Sequence, residues 1–310
     1  MTRKWGTSKI MDNYIFSERS KAHLDELAAM TNSELERLKE NAAKNNYCKK
    51  SIVEAMWYSL SAGGKRIRPA LMLEFCRICG GDLKKVLPSA CALEMIHTFS
   101  LIHDDLPCMD DDDLRRGKPS CHKAYGEAEA LLAGDALLNL SYEIISGSDL
   151  PAETKITVIS ELSRDVGING MIGGQVIDTS YDGEMTGDLL LEMYGMKTGA
   201  LLKAACKIGC IAANADETKL KSAEAYAEKL GLAFQIKDDI LDVSGDEKLL
   251  GKPIGSDKES GKTTYVSLYG LEESRKTAEK LTKEAISELD NFGDNEFLKE
   301  LTMFLLARNY

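Results

Sequence analysis

Apolar residues recur at spacings of three and four along almost the whole chain, and strict apolar–polar alternation is scarce. That period belongs to helices buried along one face. It predicts helices over 17–44, 52–60, 69–79, 88 to about 105, 127–147, 152–166, 169–179, 187–214, 217–232, 234–245, 270–290 and 294–308. Ser33 followed by Glu36 reads as a capping box, which would start a second segment inside the first of these. Pro69 suits a first helical turn, and Gly80-Gly81 ends that helix. Residues 1–16 are polar without a period and are expected to form a loose tail. No repeat or low-complexity linker divides the remainder, so 17–310 is expected to be a single all-α domain, a large helical bundle.

One stretch breaks the pattern in an informative way. The apolar run Met95–Ile102 leads into His103-Asp104-Asp105-Leu106-Pro107-Cys108-Met109-Asp110-Asp111-Asp112-Asp113, then Leu114-Arg115-Arg116, with six aspartates in the ten positions 104–113. Carboxylates this crowded repel one another unless cations share the site. Pro107 lacks an N–H and should stop the helix near Asp105 or Leu106. In an unbroken helix Asp104 and Asp110 would lie about 240° apart, and the break lets Asp110 swing round beside Asp104. All-oxygen ligation suits a hard cation such as Mg²⁺ rather than zinc or copper. EF-hand spacing does not fit here.

A second acid group, Asp238-Asp239-Ile240-Leu241-Asp242, follows Phe234-Gln235. Asp238 and Asp242 are four apart and share one helix face, among neighbours that read as core. Two acid segments fed by apolar helices can hold metal in a bundle, with positions left open for a phosphate-bearing ligand. Cations able to receive such a ligand include Lys65, Arg68, Arg115, Arg116, Lys197, Lys252 and Lys262. Gly261-Lys262-Thr263 is not a P-loop, because Ser256 stands where a glycine is required and no apolar strand precedes it.

The net charge of −11 disfavours nucleic acid and anionic membrane surfaces. No run of eighteen apolar residues occurs and the start, Met1-Thr2-Arg3-Lys4-Trp5-Gly6, lacks a signal-peptide core, so a cytoplasmic protein without stable membrane insertion is expected. The eight cysteines, including Cys76-x-x-Cys79 and the Cys206/Cys210 pair, read as small core side chains.

With both acid segments placed, the chain resembles the trans-prenyl diphosphate synthases, nearest to the bacterial farnesyl or geranylgeranyl type. The resemblance spans about 48–308. It rests on Asp104-Asp105-x4-Asp110 with Arg115-Arg116, Asp238-Asp239-x-x-Asp242 after Phe234-Gln235, and Gly63-Gly64-Lys65-Arg66-Ile67-Arg68-Pro69. Gly173-Gly174-Gln175 with Asp178, Lys197-Thr198, Gly251-Lys252 and Gly261-Lys262-Thr263 follow in the expected order.

This resemblance implies the isoprenoid synthase fold, helices around a central cavity, usually as a homodimer. It implies head-to-tail condensation of isopentenyl diphosphate with dimethylallyl or geranyl diphosphate. Asp104, Asp110 and Asp238 would hold Mg²⁺, roughly three ions per site with Mn²⁺ able to substitute, supported by Asp105, Asp239 and Asp242. Arg115, Lys197, Lys252 and Lys262 would grip the allylic diphosphate. Lys65, Arg68, His97 and Arg116 would hold isopentenyl diphosphate, with Gly64 giving backbone approach. Thr198 and Gln235, beside Phe234, would line the allylic cation. In the family, bulk at the position of Phe99 limits product length. Phe99 beside the small Ser100 therefore points to farnesyl diphosphate, with geranylgeranyl diphosphate as the alternative. A class I terpene cyclase or a non-catalytic subunit fits less well, since the second acid segment and the second cationic pocket are both intact.

Overall fold

The computed structural model describes residues 16–44, 50–244 and 262–307. Residues 1–15 of the tail expected over 1–16, Cys48, and the segment with Gly251, Lys252, Ser256 and Gly261 lie outside them. Apart from one two-residue hairpin, the regular structure of the described residues is helical. The chain packs as two compact units. One comprises Met1–Ala22, Arg164–Lys203 and Asp216–Tyr310, the other His23–Ser163 and Ala204–Ala215. Both are discontinuous in sequence, so no linker composition could have marked them.

In the His23–Ser163 unit, α1 (Glu18–Lys44) runs unbroken through Ser33, against the expected cap. Leu24, Leu27, Thr31 and Leu35 form one buried stripe along it. Thr31 closes its hydroxyl onto the Leu27 carbonyl at 3.0 Å. Burial along this face outweighs the local capping signal. After α2 (Lys50–Leu60) and α3 (Ile67–Ile78), α4 (Leu83–Asp104) starts five residues before Pro88. Asp82 caps it by accepting the Lys84 N–H at 2.9 Å. An internal proline costs about 3 kcal/mol, which burial from Val86 to Ile102 offsets. By length and hydropathy α4 could cross a membrane, but 67% of that window is buried inside the protein, as in a core helix. It packs against α3 and α6 (Glu127–Ser146).

The hairpin pairs Leu114–Arg115 with Lys118–Pro119 through Arg116 and Gly117, both at positive φ. Two such residues make the turn that matches strand twist. This hairpin and the one-turn helix α5 (Cys121–Tyr125) are too short for a periodic signal. Cys76, Cys206 and Cys210 are fully buried, and burial pushes the Cys76 thiol up to about 12. Cys108 departs from the core reading, being exposed beside Pro107 in the acid loop.

The other unit is built on α11 (Glu217–Ser244), one helix where two were expected. Gly231 does not break it. A Cβ there would come within 2.9 Å of the Gly199 Cα, so glycine serves a close approach of backbones. The predicted helix 187–214 is three pieces: α9 (Gly187–Tyr194), a π-turn (Gly195–Gly199) and α10 (Ala200–Ala212). The expected segment 169–179 is α8 (Met171–Ser180) of this unit, and 152–166 is α7 (Ala152–Val166), most of which belongs to the His23–Ser163 unit. A short α12 (Tyr265–Tyr269) was not predicted, and α13 (Leu271–Glu288) and α14 (Glu296–Ala307) follow. Leu190, Met193, Tyr194, Ile236, Ile240 and Tyr265 form the core that joins α9, α11 and α12.

Candidate active site

The first acid segment follows the break at Pro107. α4 ends at Asp104, and the chain turns so that the Asp110 N–H donates to the Asp104 carbonyl at 2.8 Å. The two aspartates six apart in sequence are thus brought together, as the proline implied. Asp104 is half-buried and Asp110 exposed. Asp105 is 2% exposed and takes the Arg115 Nε at 3.0 and 3.2 Å and the Nη2 as well, while Arg115 also reaches Asp112 at 3.4 Å. Burial holds the Asp105 carboxyl above its usual range although Arg115 pulls the other way. Arg115 and Asp105 thus fix each other, and with them the root of the acid loop.

A cationic pocket lies at the loop before α3. Gly63 and Gly64 have φ of 98° and 120°, a region that side chains rarely adopt. A Cβ on Gly64 would meet the Arg116 guanidinium at 2.7 Å. Arg116 donates to the Gly63 carbonyl. Arg68 Nη1 lies 3.4 Å from His97 Nε2, and Arg68 Nε is buried with no hydrogen-bond partner among the described residues. Burial and the charges of Arg68 and Arg116 push the His97 imidazole well below its usual range, so it is neutral near pH 7. Burial also lowers Arg68 and Arg116. An unpartnered buried guanidinium nitrogen beside a neutral imidazole is a site for an anionic oxygen. Lys65 is exposed on the same loop.

Along α4, His97, Ser100, Leu101 and Asp104 form a half-buried stripe. Ser100 stands about 40° around the axis from Asp104, and Phe99 about 140°. Phe99 is 6% exposed, its ring edge-on to His103 at 5.3 Å. The imidazole of His103 is bonded to the Leu131 carbonyl at 3.0 Å.

The remaining predicted residues belong to the other unit. Gln235, Asp238 and Asp242 share one face of α11 and are half-buried. Asp239 faces elsewhere. It is 6% exposed, and its Oδ2 accepts the Tyr194 hydroxyl and the Tyr265 N–H, both at 2.7 Å. Lys197 and Thr198 sit in the π-turn, a distortion that recurs at functional sites. Gly174 of α8 lets the Lys197 backbone approach, since a Cβ would strike the Lys197 nitrogen. Lys197 Nζ donates to Asp178 at 2.5 Å, and Lys262 Nζ lies 3.7 Å from the same carboxylate. Gln175 has a buried Nε2 without a partner among the described residues. Phe234 is half-buried. Lys252 lies outside the described residues.

Among the described residues no three His, Cys, Asp or Glu side chains are gathered as a metal cage. The carboxylates of Asp104 and Asp110 are the kind of ligand that a hard cation such as Mg²⁺ takes. The donor set is all oxygen, and Asp110 is folded back onto Asp104. The sequence reading missed the parts that hold the site: Glu94 and Arg66 near the cationic loop, the π-turn, and Tyr194 on Asp239. Glu94 alone had a visible signal, a lone acid in the apolar run Ala92-Leu93-Glu94-Met95-Ile96.

The polyprenyl synthetase family profile matches residues 49–302. A geranylgeranyl diphosphate synthase of Cyanophora paradoxa is 48% identical over 264 residues, covering 83% of this chain and 88% of that protein. A dimethylallyltranstransferase of Fischerella ambigua is 41% identical over 309 residues, covering 98% and 89%. The crystal structure of a geranyltransferase from Legionella pneumophila superposes with a TM-score of 0.83 at 33% identity, covering 94% of this chain and 98% of that one.

Proposed function

The chain belongs to the polyprenyl synthetase family, with the all-α isoprenoid synthase fold and short-chain prenyl diphosphate synthase activity, and we propose that it makes geranylgeranyl diphosphate. The substrates in this reading are isopentenyl diphosphate and an allylic starter, dimethylallyl or geranyl diphosphate. The observation that carries the condensation is the half-buried cationic pocket of Arg68, on α3, and His97, on the helix α4 that ends in the acid segment. One diphosphate belongs to each.

Asp104, Asp110 and Asp238 would hold Mg²⁺, with Asp105, Asp239 and Asp242 in support; the ions supply the positive charge that makes diphosphate a leaving group. Lys197, Arg115 and Lys262, with Lys252, grip the departing diphosphate as point charges and a fork. The Asp178 carboxylate holds Lys197 and Lys262 in readiness. Thr198 and Gln235 present oxygens to the allylic cation, beside Phe234. Lys65, Arg68, Arg116 and His97 hold isopentenyl diphosphate, Gly64 allowing its backbone to approach. The π bond of isopentenyl diphosphate then attacks the cation, and the released diphosphate takes the proton lost in closing the new double bond. A neutral, depressed His97 donates or accepts a hydrogen bond in the pocket and is a poor general base.

Support for the twenty-carbon product comes from the geranylgeranyl diphosphate synthase relatives and from Ser100. That small side chain occupies the half-open stripe beneath Asp104, where a tail would run. The bulk of buried Phe99 favours a second reading, farnesyl diphosphate. In either reading the working form is a homodimer in the cytoplasm. Diphosphate release with geranyl diphosphate alone, then with isopentenyl diphosphate added, tests the reaction. Release only on addition of the second substrate supports condensation. Equal release without it would point to a cyclase.

A further inference from the structure

Arg66 sits between two residues assigned to the cationic pocket, yet its own guanidinium is turned to other work. It is 5% exposed, and three of its nitrogens each meet a partner from a different helix. Nε donates to Asn32 Oδ1 on α1 at 2.9 Å, Nη1 to Glu94 Oε1 on α4 at 2.7 Å, and Nη2 to the Leu60 carbonyl ending α2 at 2.6 Å. So engaged, it cannot offer a fork to a diphosphate, unlike Arg68 with its unpartnered Nε.

The loop around Arg66 has little else to define its shape. Gly63 and Gly64 have no side chains, and Arg66 itself is left-handed at φ 50°, a conformation an ordinary residue keeps only where its surroundings fix it. Lys could not replace it, since an ammonium is a single point and cannot span three acceptors in different directions. Glu94, 3% exposed, stands one turn before His97 on α4. It is also the anion whose field reaches Arg68 and Arg116. One buried carboxylate thus serves a cluster of cations, and Arg66 is its direct hydrogen-bonding partner.

We propose that Arg66, locked by Asn32, Glu94 and the Leu60 carbonyl, is the positioning residue that sets Lys65 and Arg68 for the non-allylic diphosphate. This rests on the reading that the Arg68–His97 pocket takes isopentenyl diphosphate. The test is initial-rate kinetics of Arg66→Lys and Asn32→Ala, varying each substrate in turn with the other saturating. Far-UV circular dichroism reports folding.

The expected result is a KM for isopentenyl diphosphate raised about tenfold in Arg66→Lys and about threefold in Asn32→Ala, as for misplaced charge-assisted hydrogen bonds. The allylic KM and kcat should stay within about twofold. A purely structural role would reduce the active fraction, lowering kcat with both KM values unchanged; that outcome overturns the proposal, as does a parallel rise in both KM values. Should Arg66→Lys fail to fold, Asn32→Ala decides alone. Should the wild type fail to condense the substrates, the underlying reading falls. Calorimetry with inorganic pyrophosphate then separates the two claims: weaker binding by the folded variant upholds the positioning role, and equal binding refutes it.

Discussion

Tyr194→Phe isolates one bond that ties three parts of the site together. The Tyr194 hydroxyl donates to Asp239 Oδ2 at 2.7 Å, and both residues are nearly buried, at 5% and 6% exposure. The same oxygen holds the Tyr265 N–H at the start of α12. Phenylalanine keeps the ring and its packing against Ile236 and Ile240 but removes the donor. A hydrogen bond to a buried charged group is worth about 1.5–3 kcal/mol, and that loss should appear as a lower urea midpoint at pH 7 with an unchanged slope. The π-turn with Lys197 and Thr198 begins at the next residue, Gly195. Turnover, read as diphosphate release, should therefore fall by about tenfold through displaced Lys197 and Thr198. A midpoint shift below about 0.5 kcal/mol would refute the energetic reasoning. A full stability loss with wild-type turnover in the folded enzyme would refute the link to the site.

Asp104→Ala should cut turnover at least about a hundredfold with the helical circular-dichroism signal intact; near-normal rates would remove the metal assignment. Gly174→Ala places a methyl against the Lys197 backbone, which should lower stability by about 1–3 kcal/mol and turnover with it; an unchanged thermal midpoint would refute the close approach. Phe99→Ala should lengthen the product if Phe99 is the floor of the tail channel, and product mass analysis of the folded variant decides. The His23–Glu74 contact at 2.9 Å gives a pH signature. Hydrogen bonding to Glu74 raises the His23 pKa above 6.5. Its contribution to stability is therefore complete below pH 6.5 and is lost as pH rises through the folded value. Glu74, buried but paired with Arg77 and His23, is lowered below 4.5, so its share is present above that pH and lost in acid. His23→Gln should flatten the fall in thermal midpoint just above pH 6.5; an unchanged slope would contradict it.

The helices and both acid segments were legible because period and composition are local signals. The fold-back of Asp110 onto Asp104 followed from Pro107 alone. Failures came where distant contacts override local chemistry. Ser33 looks like a cap, but the stripe Leu27–Thr31–Leu35 carries α1 straight through it. The helices expected over 217–232 and 234–245 are one, and Gly231 within it is the clearance for Gly199. The π-turn leaves no periodic trace over five residues, and the use of Asp178 by two lysines depends on tertiary placement. Arg66 was readable as part of a motif and not as a strut, because burial and partners decide between those roles.

The central claim is condensation of two diphosphates by this chain. Its most direct test is mass analysis of products from purified protein with Mg²⁺, dimethylallyl diphosphate and isopentenyl diphosphate. A twenty-carbon prenyl diphosphate is the expected result, and a fifteen-carbon one would restore Phe99 as the limit on length while keeping the chemistry. No condensation, from dimethylallyl or geranyl diphosphate alike, would contradict it.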